Sequence, residues 1–435
     1  MPKPTAPEQT DDRSPPAWLV VAPFLGKPPA LTRHQWQIIG LLGLASLFDQ
    51  YDLQLFSLAL KQIQADLAIP EAQLGDLGAI VRLGALPAFL FAVVADRLGR
   101  RRVLLFTIVA YTVLTGATAF AQDAITFVVL QFFARTFAVA ELLLAFVVIV
   151  EELDPDTRGW GVGALTALAA CGNGLAIGLF SLVDVLPGGW RSLYLIGFIP
   201  LIWVAWMRRR LPETRRFVEQ HDQEKEVRWW RPMVDLARMY PGRMFAIGTV
   251  IFLLNFAENA AGFFGPKYLQ EAHGWAPWQY SLMGIAGGFI GIMGGPFAGR
   301  LSDRYGRKIV VSTFLFITPL AMLGFYQFFG WALVPLWIIM VFTAMAGGVV
   351  LAAFGNELFP TSYRSTAAGA RVLIGTIGGA LGLLTESALY RVLGSHWDAI
   401  SWMVLIALAA PFIVLRFFPE TSGRELEETA PEKID

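Results

Sequence analysis

Apolar residues run through this chain in about twelve stretches, each close to the roughly 20 residues that a helix needs to cross a hydrocarbon core. They lie approximately at 36–59, 74–95, 103–121, 125–149, 160–184, 192–207, 244–268, 280–299, 309–328, 331–353, 366–389 and 399–416. Short alternating segments, which would mark a membrane barrel, are not seen. Gly and Pro punctuate many of the runs, a pattern tolerated where neighbouring spans re-satisfy the freed backbone groups. The pattern predicts an all-α membrane protein of twelve transmembrane helices. Composition agrees, because 55% of residues are hydrophobic and 16% charged, with a mean hydropathy of +0.54. A water-soluble domain of this length would struggle to stay dissolved with those values.

Polar flanks orient the spans, since Lys and Arg collect beside cytoplasmic helix ends. Basic runs stand at "DRLGRRR" after span 2, "MRRRLPETRR" after span 6 and "DRYGRK" after span 8, whereas "AQDA" and "VLPGGW" carry few basic residues. Both termini are therefore expected in the cytoplasm, and the chain as an integral multi-pass protein of the inner membrane. Formal net charge is zero, which implies no nucleic-acid partner. The N-terminal "MPKPTAPEQTDDRSPP" is polar and Pro-rich and reads as a disordered tail without a cleaved signal. The single cysteine, Cys171, permits no internal disulfide and reads as a packed small residue.

The two halves of the chain repeat. "ADRLGRRR" around Asp96 returns as "SDRYGRK" around Asp303, 207 residues on. Trp190 and Trp397 share that spacing, as do Pro212 and Pro419 of the two "PET" segments. Arg158 and Arg364 lie 206 apart in equivalent loops. Matches at one period predict two pseudo-symmetric six-helix bundles. The expected division is a tail over 1–30, bundles over 31–207 and 244–416, a connector over 208–243 and a C-terminal tail over 417–435. Ten Lys and Arg against six Asp and Glu in that connector suit a surface beside anionic lipid.

With these motifs in hand, the chain resembles the major facilitator superfamily over essentially its whole length. The family's loop pattern G-x-x-x-D-R-x-G-R-[RK] is met by Gly299, Asp303, Arg304, Gly306, Arg307 and Lys308. In the first half Ala92 stands where the leading Gly is usual, followed by Asp96, Arg97, Gly99, Arg100 and Arg101. The "PET" segments and the loops holding Glu152 with Arg158 and Glu357 with Arg364 resemble the sugar-porter-like branch. The resemblance implies a carrier working by alternating access, functional as a monomer, with small-molecule substrate, protons and the lipid bilayer as partners and no cofactor. It implies a cytoplasmic gate of Asp96, Arg97, Gly99, Arg100, Glu152, Arg158, Glu213, Asp303, Arg304, Gly306, Arg307, Glu357, Arg364 and Glu420. Ion pairs at a wet helix end suit a gate, being worth about 0–1 kcal/mol singly and more in networks.

Charges inside the spans carry the chemistry, because a lone charge at the bilayer centre costs roughly 2.5–3.5 kcal/mol on insertion scales and so lines a polar cavity or finds a partner. In "LASLFDQYDLQLF", Asp49 stands roughly 20 Å along span 1, and Asp52 follows one turn on, on the same face. Arg82 lies in span 2, Arg135 and Glu141 on different faces of span 4, and Asn173 in span 5. Asn255, Glu258 and Asn259 form a stripe on span 7, while Arg371 and Glu386 stand nearer the ends of span 11 and are expected to snorkel. Asp49 with Arg135 resembles the carboxylate–guanidinium switch of proton-coupled sugar porters, with Asp52 sharing the charge. Arg82, Glu141, Asn173, Asn255, Glu258 and Asn259 are the candidate substrate residues.

The glutamine-rich sets of hexose carriers are missing, while "DQYD" resembles the D-G-x-D of aromatic-acid/proton symporters in the same superfamily. Two membrane arginines could hold a carboxylate bidentately. The leading expectation is proton-coupled symport of a small organic acid, possibly aromatic. A sugar or polyol symporter and a proton antiporter exporting drugs or cations are the alternatives. An enzyme finds little support: His34, His221, His273 and His396 all fall at span ends or in loops, and no cluster has metal-ligand spacing. A receptor would not need duplicated gate loops.

Overall fold

A computed structural model describes residues 28–209 and 231–423, the side chains of Asp96, Arg231 and Pro232 excepted. Its helices are α1 (Arg33–Leu58), α2 (Leu60–Asp66), α3 (Leu74–Leu83), α4 (Ala88–Leu98), α5 (Arg100–Thr118), α6 (Ala124–Glu152), α7 (Arg158–Phe180) and α8 (Trp190–Arg208) in the first half. In the second half they are α9 (Arg231–Met239), α10 (Pro241–Ala272), α11 (Pro277–Tyr305), α12 (Arg307–Gln327), α13 (Leu333–Glu357), α14 (Arg364–Leu393), α15 (His396–Ala407) and α16 (Ala409–Phe417). Among the described residues, ten helical stretches are long and apolar enough to cross a membrane, so the chain is an all-α, multi-span membrane protein. The expected tails over 1–27 and 424–435, and 210–230 of the connector, lie outside the described residues. The rest of the connector is not loop: Arg208 ends α8, α9 is helical, and α10 begins at Pro241.

Local chemistry sets the boundaries. Thr32 caps α1 in a reciprocal box with Gln35, and the Asp123 side chain accepts from the Thr126 amide at the start of α6. Such caps satisfy amides that the helix itself cannot. The second apolar run is broken between α3 and α4, just before Pro87, whose ring cannot continue the hydrogen-bond ladder. The Gly84 carbonyl at that break accepts a 2.7 Å bond from the Thr136 hydroxyl on α6. A neighbouring span thus repairs the ladder, as it must where no water is present. The last run is likewise divided, into α15 and α16, ahead of Pro411.

The repeat in the sequence is a repeat of packing. In the first half α1 packs on α7, α5 on α6 and α5 on α8; in the second half α10 packs on α14, α12 on α13 and α12 on α15. The halves meet through α3 with α14, α7 with α11 and α1 with α10. At the equivalent crossings, a Cβ on Gly172 of α7 would strike the Leu47 carbonyl of α1, and one on Gly382 of α14 would strike the Phe256 carbonyl of α10. Backbones approach that closely only where the side chain is missing. Gly99 and Gly306 both turn the chain at φ +95°, a conformation that favours glycine, so the D-R-x-G-R loops have one shape.

Valine at Gly172 or Gly382 is expected to cost on the order of 1–3 kcal/mol by overpacking, read as a lower midpoint of thermal unfolding in detergent. Gly174→Ala, which faces open space, should leave the midpoint unchanged.

Candidate functional site

A cavity of about 500 Å³ opens between the halves, lined by Arg82 of α3, Asn255 and Glu258 of α10, Thr318 of α12, and Arg371 and Thr376 of α14. Helical spacing brings Asn255 and Glu258 to one face, and the Asn259 amide donates 2.8 Å to the Asn255 carbonyl and 3.2 Å to its side-chain oxygen. Glycines make the room. A Cβ on Gly379 would strike Arg82 Nε and stand 2.8 Å from Asn259 Nδ2, and one on Gly375 would stand 3.1 Å from Asn255 Nδ2. The absent side chains of α14 are therefore replaced by polar ones from α3 and α10.

Arg82 is the central feature of this cavity. Its buried Nε has no hydrogen-bond partner, and the same holds for Nε of Arg135 on α6. Among the described residues neither guanidinium forms an ion pair, although each lies within the other's field. Two like charges without a protein counter-ion make a strong local demand for an anion. Paired guanidiniums meet it with planar, forked donors. Arg371, expected to snorkel, instead lines the cavity, held by bonds to the Ala352 carbonyl at 3.0 Å and Asn356 Oδ1 at 2.6 Å. Asn173 has a buried side-chain oxygen without a partner and is not among the lining residues of this cavity.

The two aspartates of α1 are buried, but Asp49 does not pair with Arg135. Neither Asp49 oxygen has a hydrogen-bond partner, and the cation whose field reaches it is Arg208 at the end of α8. Asp52 Oδ2 accepts a 3.0 Å bond from Thr115 on α5. Arg208 is 1% exposed and forms an ion pair with Glu141 of α6, whose other oxygen accepts 2.8 Å from Thr107. Arg208 Nε and Nη2 remain unpartnered. Glu141 is thus corrected from a substrate residue to half of a buried ion pair. The six-residue separation on α6 is the reason, since it turns Arg135 away from the face that meets α5 and α8. Arg208 was missed because it is the first arginine of "MRRRLPETRR" and reads as a solvated flank. Its contact with the apolar run, where one more helical residue takes it inside, is the signal that could have found it.

At the ends bearing the D-R-x-G-R turns, the second half gathers its motif residues. Arg307 Nε reaches both Glu357 oxygens at 3.1 Å, and its Nη1 donates 2.8 Å to Asp303. Glu420 accepts from the backbone amides of Arg307, Lys308, Thr421 and Ser422 at 2.9–3.1 Å. Burial pushes the Glu420 carboxyl up, but those four donors outweigh it and hold the group below the usual glutamate range. Gly306 supplies the close approach, for a Cβ there would stand 2.7 Å from Glu420 Oε2. Arg304 lies over the Tyr305 ring instead, and Arg364 has a buried Nε without a partner, so neither joins the cluster. In the first half Arg100 pairs with Glu151 at 3.2 Å, Glu152 stands 3.8 Å from His34, Arg158 bonds the Leu153 carbonyl at 3.0 Å, and Arg97 is exposed. Glu213 and the Asp96 side chain lie outside the described residues.

A family model for the Major Facilitator Superfamily matches residues 42–383 and 279–433. The chain belongs to the major facilitator superfamily. It is accordingly an integral multi-pass membrane transporter and not an enzyme. It is 24% identical over 390 residues to the sialic acid transporter NanX of Escherichia coli, covering 86% of this chain and 91% of that one. It is 26% identical over 368 residues to the cis,cis-muconate transport protein of Acinetobacter baylyi, covering 80% and 86%. Among solved structures, the inward-open xylose transporter XylE from E. coli matches with a TM-score of 0.72 at 18% identity, covering 91% of this chain and 99% of that one. That similarity establishes the superfamily fold.

Arg208→Met strands Glu141 in an apolar interior and is expected to cost about 3–5 kcal/mol, whereas adding Glu141→Leu should recover most of the loss; thermal unfolding of the three proteins measures both. Glu420 yields a pH test. Its folded-state pKa lies below the unfolded value of about 4.3, so its contribution is complete above that value and is lost as pH falls toward the folded pKa. Between about pH 5 and pH 3 the unfolding midpoint should therefore fall more steeply for the native chain than for Glu420→Gln.

Proposed function

We propose that this transporter is a proton-coupled symporter of a small organic acid, working by alternating access. The observation that carries the reading is Arg82, which lines the cavity within the field of a second buried guanidinium, Arg135, neither of them in an ion pair with a carboxylate among the described residues. A substrate carboxylate would supply the missing charge, with Asn255, Asn259 and Thr318 available for its other polar groups. The names of the sialic acid and muconate relatives are those of acids and support the same class. In this reading α1 and α5 also cross the bilayer, completing twelve spans in two six-helix bundles, with both termini and the D-R-x-G-R turns on the cytoplasmic side. The cluster of Asp303, Arg307, Glu357 and Glu420 serves as half of a cytoplasmic gate, with Asp96, Arg100, Glu152, Arg158 and Glu213 as its counterpart.

Coupling is assigned to Asp49, with Arg208 in the role that resemblance gave to Arg135. Arg208 has donors to spare beside its bond to Glu141. While Asp49 is ionised, it attracts the guanidinium and holds α1 against α8; protonation removes the attraction and frees α1 to move. Asp52, tied to Thr115 one turn away, shares the negative field. The expected result is that Asp49→Asn abolishes accumulation driven by a proton gradient yet retains some solute exchange. Full accumulation by that variant in energised proteoliposomes removes Asp49 from the mechanism.

A sugar or polyol substrate is the second reading, favoured by the xylose-transporter fold and by the "PETSGRELEE" ending. The same vesicles separate the two. Uptake of labelled muconate or sialic acid, abolished by a protonophore and reduced at least tenfold in Arg82→Gln, supports the acid. Uptake of xylose with no response to either acid supports the alternative.

A further inference from the structure

At the end of the molecule away from the D-R-x-G-R turns, charged groups of the two halves lock together. The first half supplies Gln64 of α2, Glu71 of the turn before α3, and Asp76 of α3. Lys267 of α10 is 0% exposed, and its ammonium lies 2.6 Å from Gln64, 3.0 Å from Glu71 and 2.5 Å from Glu271. Arg391 of α14 pairs with Asp76, whose amide donates 3.0 Å to Ser387. His396 stands between them: Nε2 is 3.0 Å from Glu71 and Nδ1 is 2.5 Å from Glu386. Glu386 is fully buried, contrary to the expectation that it snorkels.

Hydrogen counting decides what this arrangement contains. A neutral imidazole has one N–H and one bare nitrogen, and an ionised carboxylate only accepts. With carboxylate oxygens against both ring nitrogens, one more proton is required, held as an imidazolium or on one of the two glutamates. The ring is fixed for this task, stacked between Phe264 at 4.5 Å and Tyr390 at 4.0 Å. Loss of that proton would turn a bare nitrogen toward a carboxylate in a site where His396 is 4% and Glu386 0% exposed, a costly arrangement. The remaining charged neighbours are Lys267 and Glu271 on α10 and Arg391 with Asp76. Tyr268 and Tyr326 approach from α10 and α12, and Asp398 on the histidine's own helix is exposed.

We propose that Glu71, His396 and Glu386 form a proton-binding site that latches this end of the carrier, closed while the proton is held and released to open when it leaves. Glu71 belongs to the first half and His396 and Glu386 to the second, so opening that end separates the acceptors that retain the proton. The site is distinct from Asp49. It rests on the alternating-access part of the proposed function and not on the identity of the solute.

The test is a spin-label distance measurement on the full chain in nanodiscs. The single cysteine becomes serine (Cys171→Ser), and labelled cysteines replace Val185 and Val392, which are 76% and 82% exposed at this end. Between about pH 5.5 and about pH 8.5, a range that brackets free imidazole and lies above free carboxylates, the long-distance population of the parent should rise severalfold. In His396→Gln and in Glu71→Gln, each checked for a monodisperse preparation, that population should lose its pH dependence. A parent whose distances ignore pH overturns the latch, as does an unchanged pH response in both variants. Vesicle uptake is scored separately: a chain that opens with pH but accumulates no solute keeps the latch and loses the symport reading.

Discussion

An ionised group in a hydrocarbon interior must find a counter-charge, a set of hydrogen bonds or a wet cavity, since the bilayer offers none of the solvation it loses. Every unusual feature of this protein follows from how that requirement is met. Glu141 meets it with Arg208 and Thr107, and Asp52 in part with Thr115. Lys267 meets it with oxygens from Gln64, Glu71 and Glu271. Among the described residues Arg82 and Arg135 have no ion pair and an unpartnered Nε each, and Arg82 lines the cavity. Their deficit is what gives the cavity its chemical character.

The duplicated architecture supplies the mechanical counterpart. Equivalent helix pairs pack closely where side chains are missing, at Gly172 in one half and Gly382 in the other. The contacts between halves are mixed: Phe56 packs on Phe263 and Phe180 on Tyr280, and polar pairs stand beside them. Ion pairs and hydrogen bonds join them at one end, where Glu71 and Asp76 reach Lys267, His396 and Arg391. Closely packed halves joined in part by separable polar contacts suit a rocking carrier.

Within the first half, the charge pattern ties the helices that would move. Arg208 sits between two carboxylates on different helices, bonded to Glu141 and felt by Asp49. In the proposed coupling, a change of one charge at Asp49 would alter the balance between α1 and α8 while the Arg208–Glu141 pair stays in place. In the second half, the equivalent span carries Asn255 and Asn259, bonded along their own helix, with Glu258 lining the cavity. The halves share a fold and differ in where their charges stand.

Much of this was legible in the residues alone. Of the twelve expected spans, ten are long and apolar enough to cross a membrane among the described residues, because a bilayer imposes one thickness on the apolar runs, and the duplication of motifs is read at a 207-residue period. Superfamily and glycine turns were equally plain, since they depend on local pattern. The partners of buried charges were not. Helical periodicity tells which residues share a face, and it correctly separated Arg135 from Glu141, but it cannot tell which helix that face meets. Arg208 reads as a solvated flank and Glu386 as a snorkelling end until α6 and α15 are packed against them. The sequence by itself determined where charges enter the membrane, because that is a matter of spacing along one chain. Only the tertiary structure decided which of them neutralise one another, because Coulomb interaction depends on distances between helices that no single helix encodes.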